Sequence, residues 1–309
     1  MMSTPHVLNN TNFFLQPWDK NKQSPFIDQS LARAIGRSYS KALCAEWESY
    51  GDRKNKSIAR NSTPYRKVKN NRQLRERQVL LDKLLGNLIP ISTANINANS
   101  KSATISLGLR PDNLSDATEF KNTLQVFAWI LLMPGFLQEI YVPMRISPHA
   151  VERVIQRAGV VDLPVSQADM QAINAEFADM LPLAALAIDV MKNLAKNASD
   201  EEAKNLTMLL PSAHGLFIAS WCPEIGSLLV RTFIDSKKLN LAQVQAVNEL
   251  RSITDINLAP LLVDTMIPGW FRFDKTASYE TITQAWKHFA WRFDIDRLHP
   301  GMSDIAWSQ

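Results

Sequence analysis

The longest apolar run in the chain, Val126 to Met133 and resumed at Phe136 and Leu137, is cut by Pro134 and Gly135. No other feature limits the fold as much. A membrane helix needs about 18 or more consecutive apolar residues, so this run must be buried inside protein, as a helix or as a strand covered on both sides. A continuous apolar run has no period that separates those two states, and residues 118–135 stay ambiguous on that ground. The chain has the material for such burial: its 309 residues, 46% hydrophobic, make one large domain or two modest ones.

Residues 1–21 contain neither the basic stretch nor the continuous apolar segment of a cleaved signal peptide. The cysteines, Cys44 and Cys222, form no CxxC pair, so neither a disulfide framework nor a cysteine zinc site is indicated. A soluble protein in a reducing cytoplasm, without a membrane partner, is expected.

Around the apolar run the periodicities divide. Residues 1–24 read as an irregular arm carrying Phe13, Phe14 and Trp18. Leu31, Ile35, Tyr39, Ala42, Leu43 and Trp47 fall at helical spacing over residues 28–50, and Leu80, Leu81, Leu84 and Leu85 do so over 72–88, before Pro90. ISTANINANSKSAT is poor in large apolar groups and reads as a loop, and SATISLGL at its end alternates like a strand. Residues 166–180 and 183–196 read as two helices parted at Pro182. LTMLLPSAHGLFIASW and SLLVRTFID are short β-rich runs joined by the turn CPEIG. Helices are expected again over 241–250 and 279–293. The expected fold is α+β, mainly helical with a small antiparallel β-sheet, divided into a basic helical region over 1–100 and an α+β domain over 101–309 with a C-terminal helical extension.

Charge is unevenly spread. Between Gly51 and Arg77 ten basic residues face two acidic ones, a local charge of +8 in a chain whose net charge is +4. Either this is a solvated linker or helix face, or it is a footprint for phosphate, with Arg53, Lys54, Arg60, Arg66, Lys67, Lys69, Arg72 and Arg75 as the nucleic-acid-binding candidates. Tyr65 adds one ring that could stack on a base.

MRISPHAVERVIQRAGV (144–160) carries the most chemistry. Ser147 can cap a helix whose first position is Pro148, Ile146 and Val151 can staple its start, and Gly159 suits its end. Ala150, Val151, Val154, Ile155 and Ala158 make the apolar side. His149, Arg153 and Arg157, at i, i+4 and i+8, share the other. The positive end of the helix dipole favours neutral imidazole at a first-turn His, a form that can accept a proton. The same pattern also fits an amphipathic helix whose polar stripe faces water. His288 and His299 near Asp294, Asp296 and Asp304 match no ligand spacing, and P-loop, GxGxxG and GxSxG motifs are missing, so no metal and no cofactor are expected. Trp270, Trp286, Trp291 and Trp307 are too dispersed for one site and read as core or partner interface.

ISPHAVERVIQRAG resembles the S-x-H-A-x-x-R-x-x-x-R-G opening of bacterial toxin families of the barnase, EndoU, colicin and RelE-like nuclease superfold, over about residues 144–236. Ala158 stands between Arg157 and Gly159 where that pattern has none, and a long stretch read as helical separates helix and sheet. The resemblance implies a helix bearing His and Arg ahead of an antiparallel sheet, with a late-strand Thr, here Thr232, near the site. It also implies metal-independent RNA cleavage by a toxic effector of a toxin–antitoxin or phage-defence system, silenced by an antitoxin protein or nucleic acid. In-line attack of a ribose 2′-OH on phosphorus requires a base, cations on the developing charge and an acid. His149 would be base or acid, Arg153 and Arg157 the phosphate clamp, and Thr232 would orient phosphate or water. A non-enzymatic nucleic-acid-binding or regulatory protein, and a toxin that modifies nucleotides or bases, remain alternatives. Replacing Arg66, Lys67 and Lys69 with Gln is expected to weaken nucleic-acid binding and to flatten its log–log salt dependence by about one slope unit per lost phosphate contact. Binding measured across a salt series checks this, and an unchanged slope makes the segment a solvated face.

Overall fold

The computed structural model describes residues 27–59, 71–85, 92–98, 101–112, 122–133, 137–158, 165–197, 207–212 and 214–254. The arm expected over 1–24 and the helix expected over 279–293 lie outside them. In chain order come α1 (Gln29–Ala59), α2 (Asn71–Leu85), β1 (Ser92–Ala98), β2 (Lys101–Pro111), β3 (Leu124–Met133), β4 (Leu137–Ile146), α3 (Pro148–Ala158), α4 (Gln167–Asn197), β5 (Thr207–Pro211), β6 (Gly215–Cys222), β7 (Ser227–Asp235) and α5 (Leu241–Thr254).

The expectation of a small antiparallel sheet in a mainly helical fold is overturned. One seven-stranded mixed sheet, ordered β1-β2-β3-β4-β7-β6-β5, organises the described chain. Its neighbours are antiparallel except β4 and β7, which run parallel through the pairs Met144–Leu228, Arg145–Leu229 and Ile146–Val230. The polar segment read as a loop is the β1–β2 hairpin, in register from Ser92–Leu107 to Ala98–Lys101. The ambiguous apolar run is β3, a central strand covered on both faces.

On one face, Ile105, Leu107, Val126, Ala128, Ile130, Val142, Met144, Leu228 and Val230 share a core with Ile35 and Tyr39 of α1, Val154 of α3 and Phe177 of α4. On the other face Phe127, Trp129, Leu131 and Leu137 pack with Tyr50 of α1 and Leu81, Leu84 and Leu85 of α2. Helix α1 therefore serves both faces, its first half on one and its last turns on the other. Trp47 marks the crossing. Its indole donates to the Leu109 carbonyl at 2.8 Å and stacks on Trp129 with centroids 5.5 Å apart.

Local chemistry fixes the helix starts. Asp28 Oδ1 accepts from the Ser30 and Leu31 amides at 2.7 and 3.0 Å, and Ser166 with Asp169, then Asn240 with Gln243, form reciprocal caps at α4 and α5. Helix α4 runs straight through Pro182, where two helices were expected. A mid-helix proline costs about 3 kcal/mol, and buried Ala178, Met180, Leu181, Ala184 and Ile188 continue one apolar stripe past it, whose burial offsets that cost. At the sheet, Gly108 leaves room for its cross-strand neighbour: a β-carbon there would lie 2.8 Å from Trp129 Cζ3. Gly108→Ala is expected to lower stability by about 1–3 kcal/mol through overpacking. At Gly36 in α1 the nearest atoms would be 3.8 Å away, so Gly36→Ala is expected to raise stability by up to about 1 kcal/mol. Urea denaturation of the two variants checks the opposite signs.

Candidate functional site

Helix α3 starts where the parallel pairing of β4 and β7 ends. The Ser147 amide donates to Val230 O at 2.9 Å, its hydroxyl donates to Arg231 O at 2.8 Å, and the same Oγ accepts from the Ala150 amide at 3.1 Å. One serine thus continues the strand pairing and caps the helix, with Pro148 in the first helical position. Ala150, Val151, Val154 and Ile155 are buried against the sheet. This orients His149 at the start of α3 away from the core.

Along the polar stripe of α3 the three candidate residues have different surroundings. His149 is exposed, and Arg153 Nε donates to its Nε2 at 3.4 Å. Arg153 is further held by Nη1 donating to Oε1 of buried Gln156 at 3.0 Å. Arg157, at the far end, is mostly buried and pairs with Asp235 at the end of β7, 3.5 Å away. The structure brings His149 and Arg153 together, and commits Arg157 to tying α3 to β7.

Thr232 lies elsewhere. A bulge on β7 lets Val230 face Ala219 and Thr232 face Ile218, leaving Arg231 as the extra residue. Phe217, which stacks on Phe177 of α4, is on the helix-covered face, so Ile218 and its partner Thr232 belong to the opposite one. Arg231 Nε donates to Ser220 Oγ, also on that opposite face, so the bulge places both residues away from α3.

Of the basic candidates, Arg53 caps the end of α2, donating to the Leu84 and Leu85 carbonyls at 2.7 Å each. Lys54 pairs with Glu139 of β4. Arg72 is exposed and pairs with Glu76 one turn on, and Arg75 belongs to the same helix. Arg60, Arg66, Lys67 and Lys69 fall outside the described residues.

Sequence reasoning missed a second polar cluster. Glu176 of α4, 4% exposed, accepts from the Ser212 hydroxyl at 3.0 Å, from the His214 amide at 3.4 Å, and contacts His214 Nδ1. The Ser236 amide donates to the His214 carbonyl at 2.9 Å, so the cluster locks the β5–β6 turn between α4 and the end of β7. Its members come from two distant segments, and only an acidic residue amid buried positions of α4 hinted at a partner. Elsewhere, Arg145 of β4 pairs with Asp112 just past β2, and burial lowers the Arg145 pKa from its ordinary value while nearby Cys222 opposes that shift. Burial pushes Tyr39 up, and its hydroxyl donates to Asn174 Oδ1 at 2.5 Å.

Among the described residues no three His, Cys, Asp or Glu side chains gather as a metal site, and no helix is long and apolar enough to cross a membrane. No family model, curated protein or solved structure matches the chain. Removing the acceptor shared by Ser212 and His214, with Glu176→Ala, is expected to cost about 1.5–3 kcal/mol, the scale of a hydrogen bond to a charged group, with the Ser212 hydroxyl keeping the Gly215 carbonyl at 3.2 Å. Chemical denaturation measures the loss, and a change below about 0.5 kcal/mol, the scale of ordinary surface substitutions, refutes a structural role for the cluster.

Proposed function

We propose that the chain is a cytoplasmic toxic effector of a toxin–antitoxin or phage-defence system that cleaves RNA without a metal ion, using His149 and Arg153. The observation that carries this reading is the paired placement of an exposed imidazole and a guanidinium at the start of α3. Guanidinium matches phosphate geometry and imidazole exchanges protons near neutral pH, the two functions that transesterification at phosphorus needs. In the proposed step the ribose 2′-oxygen bonds to phosphorus as the bond to the 5′-oxygen breaks. His149 takes the hydroxyl proton, water protonates the leaving oxygen, the imidazolium then returns its proton to the hydroxide so formed, and Arg153 meets the charge growing on the phosphoryl oxygens. Arg157 supports the stripe through Asp235, and the basic segment around Arg66 to Lys69 supplies longer-range attraction for RNA. An antitoxin, protein or nucleic acid, would silence the effector by covering the stripe.

His149→Ala and Arg153→Ala are expected to abolish toxicity on expression and to slow RNA cleavage by about a hundredfold or more, the usual contribution of a general base. His149→Ala should melt near the wild type, because the apolar side of α3 is untouched, and Arg153→Ala should remain folded but melt lower, because it takes the donor from buried Gln156. EDTA should leave cleavage intact. Equal toxicity of wild type and both variants would refute the assignment, and normal RNA binding with no cleavage by any of the three would favour a non-enzymatic nucleic-acid-binding protein.

A further inference from the structure

A cavity of about 420 Å³ opens in the seam between α1 and α3, beside the start of β3. That volume lies within the range of about 300–1,000 Å³ typical of small-molecule sites. Its lining is divided by chemistry. Arg33 and Arg37, one turn apart on α1, put two guanidinium groups on one wall, with Ser40 one turn nearer the middle of the helix. Pro148 supplies the exposed apolar surface, over Leu124 and Val151, which are buried beneath it. Glu152 lines the cavity too and pairs with Arg33 at 3.5 Å, holding that guanidinium in place while leaving it 55% exposed. Asn122, with φ 67°, adds an amide where the chain turns into β3 in the left-handed conformation that Asn tolerates better than most residues.

We propose that this cavity binds a nucleotide, its phosphate on Arg33 and Arg37 and its base against Pro148. Two arginines at helical spacing suit a phosphate, which accepts paired hydrogen bonds from guanidinium. The exposed Pro148 ring suits a flat heterocycle rather than a bare anion, and Ser40 and Asn122 can meet ribose or base edges. Glu152 has the wrong sign for this ligand. Its place beside Arg33 opposes phosphate, so the site binds more weakly than its arginines alone would allow. The inference is separate from the assignment of His149, which does not line the cavity.

Isothermal titration calorimetry with AMP, a dinucleotide RNA and inorganic phosphate tests it. AMP should bind the wild type saturably and more tightly than inorganic phosphate. Arg37→Gln and Arg33→Gln should each weaken AMP by about tenfold, the loss of one charge-assisted hydrogen bond, and Glu152→Gln should tighten it severalfold. Gly36→Leu, placed on the cavity wall, should abolish binding, with circular dichroism confirming that the variant is folded. His149→Ala should bind AMP like the wild type. A dinucleotide binding more than tenfold tighter than AMP assigns the site to an RNA chain, and the reverse order assigns it to a free nucleotide; both support the proposal. No saturable binding of AMP or dinucleotide, phosphate binding as tightly as AMP, unchanged affinity in Arg37→Gln, or loss of AMP binding in His149→Ala would overturn it.

Discussion

Three residue pairs between β4 and β7 hold the two halves of the sheet together. Strands β1 to β4 form one antiparallel array and β5 to β7 another, and the parallel register of Met144–Ile146 with Leu228–Val230 is where they meet. Parallel strands need a long crossover, and here it includes α3, α4, β5 and β6. Because Ser147 extends the pairing to Val230 and Arg231 while capping α3, the seam sets the position of that helix as well. The placement of His149, Arg153 and Arg157 follows from it.

A second constraint is the sharing of α1 between two cores. Most sheet-covering helices bury one stripe on one face. Helix α1 buries Ala32, Ile35, Tyr39 and Leu43 beside α3 and α4, then Tyr50 beside α2 on the other side. Polar contacts fix its far end: the Tyr50 hydroxyl and Lys54 both reach Glu139, and Arg53 closes α2. Arg53 and Lys54, in the last turns of α1, are therefore occupied in assembling the fold.

How much of this was legible depends on whether the determining partners are local. The α3 helix, its cap and its stripe could be read from residues 147–158 because capping and periodicity act within a few turns. So could the alternation of SATISLGL and the turn CPEIG. The size of the sheet could not. Strand β3 shows no alternation because both its faces are covered, and β1, STANINA, has Ile96 as its one large apolar residue among small ones and Ser and Asn, which often mark turns. Pro182 looked like a helix end because its cost is local while the packing that offsets it is not. At the site, the stripe His149–Arg153 was legible, but the Arg157–Asp235 pair, the bulge that moves Thr232 to the other face, and the Glu176–His214 contact all depend on residues brought together from distant segments.

The stacked indoles of Trp47 and Trp129 have an optical consequence. With centroids 5.5 Å apart and ring planes inclined by only 17°, and with Tyr50 and Phe127 edge-on around them, their excited states couple. Rings this close contribute to circular dichroism in the aromatic region, and separating them changes that signal. One indole belongs to α1 and the other to the interior strand β3, so the molecule contains its own spectroscopic gauge of whether that helix is seated on the sheet.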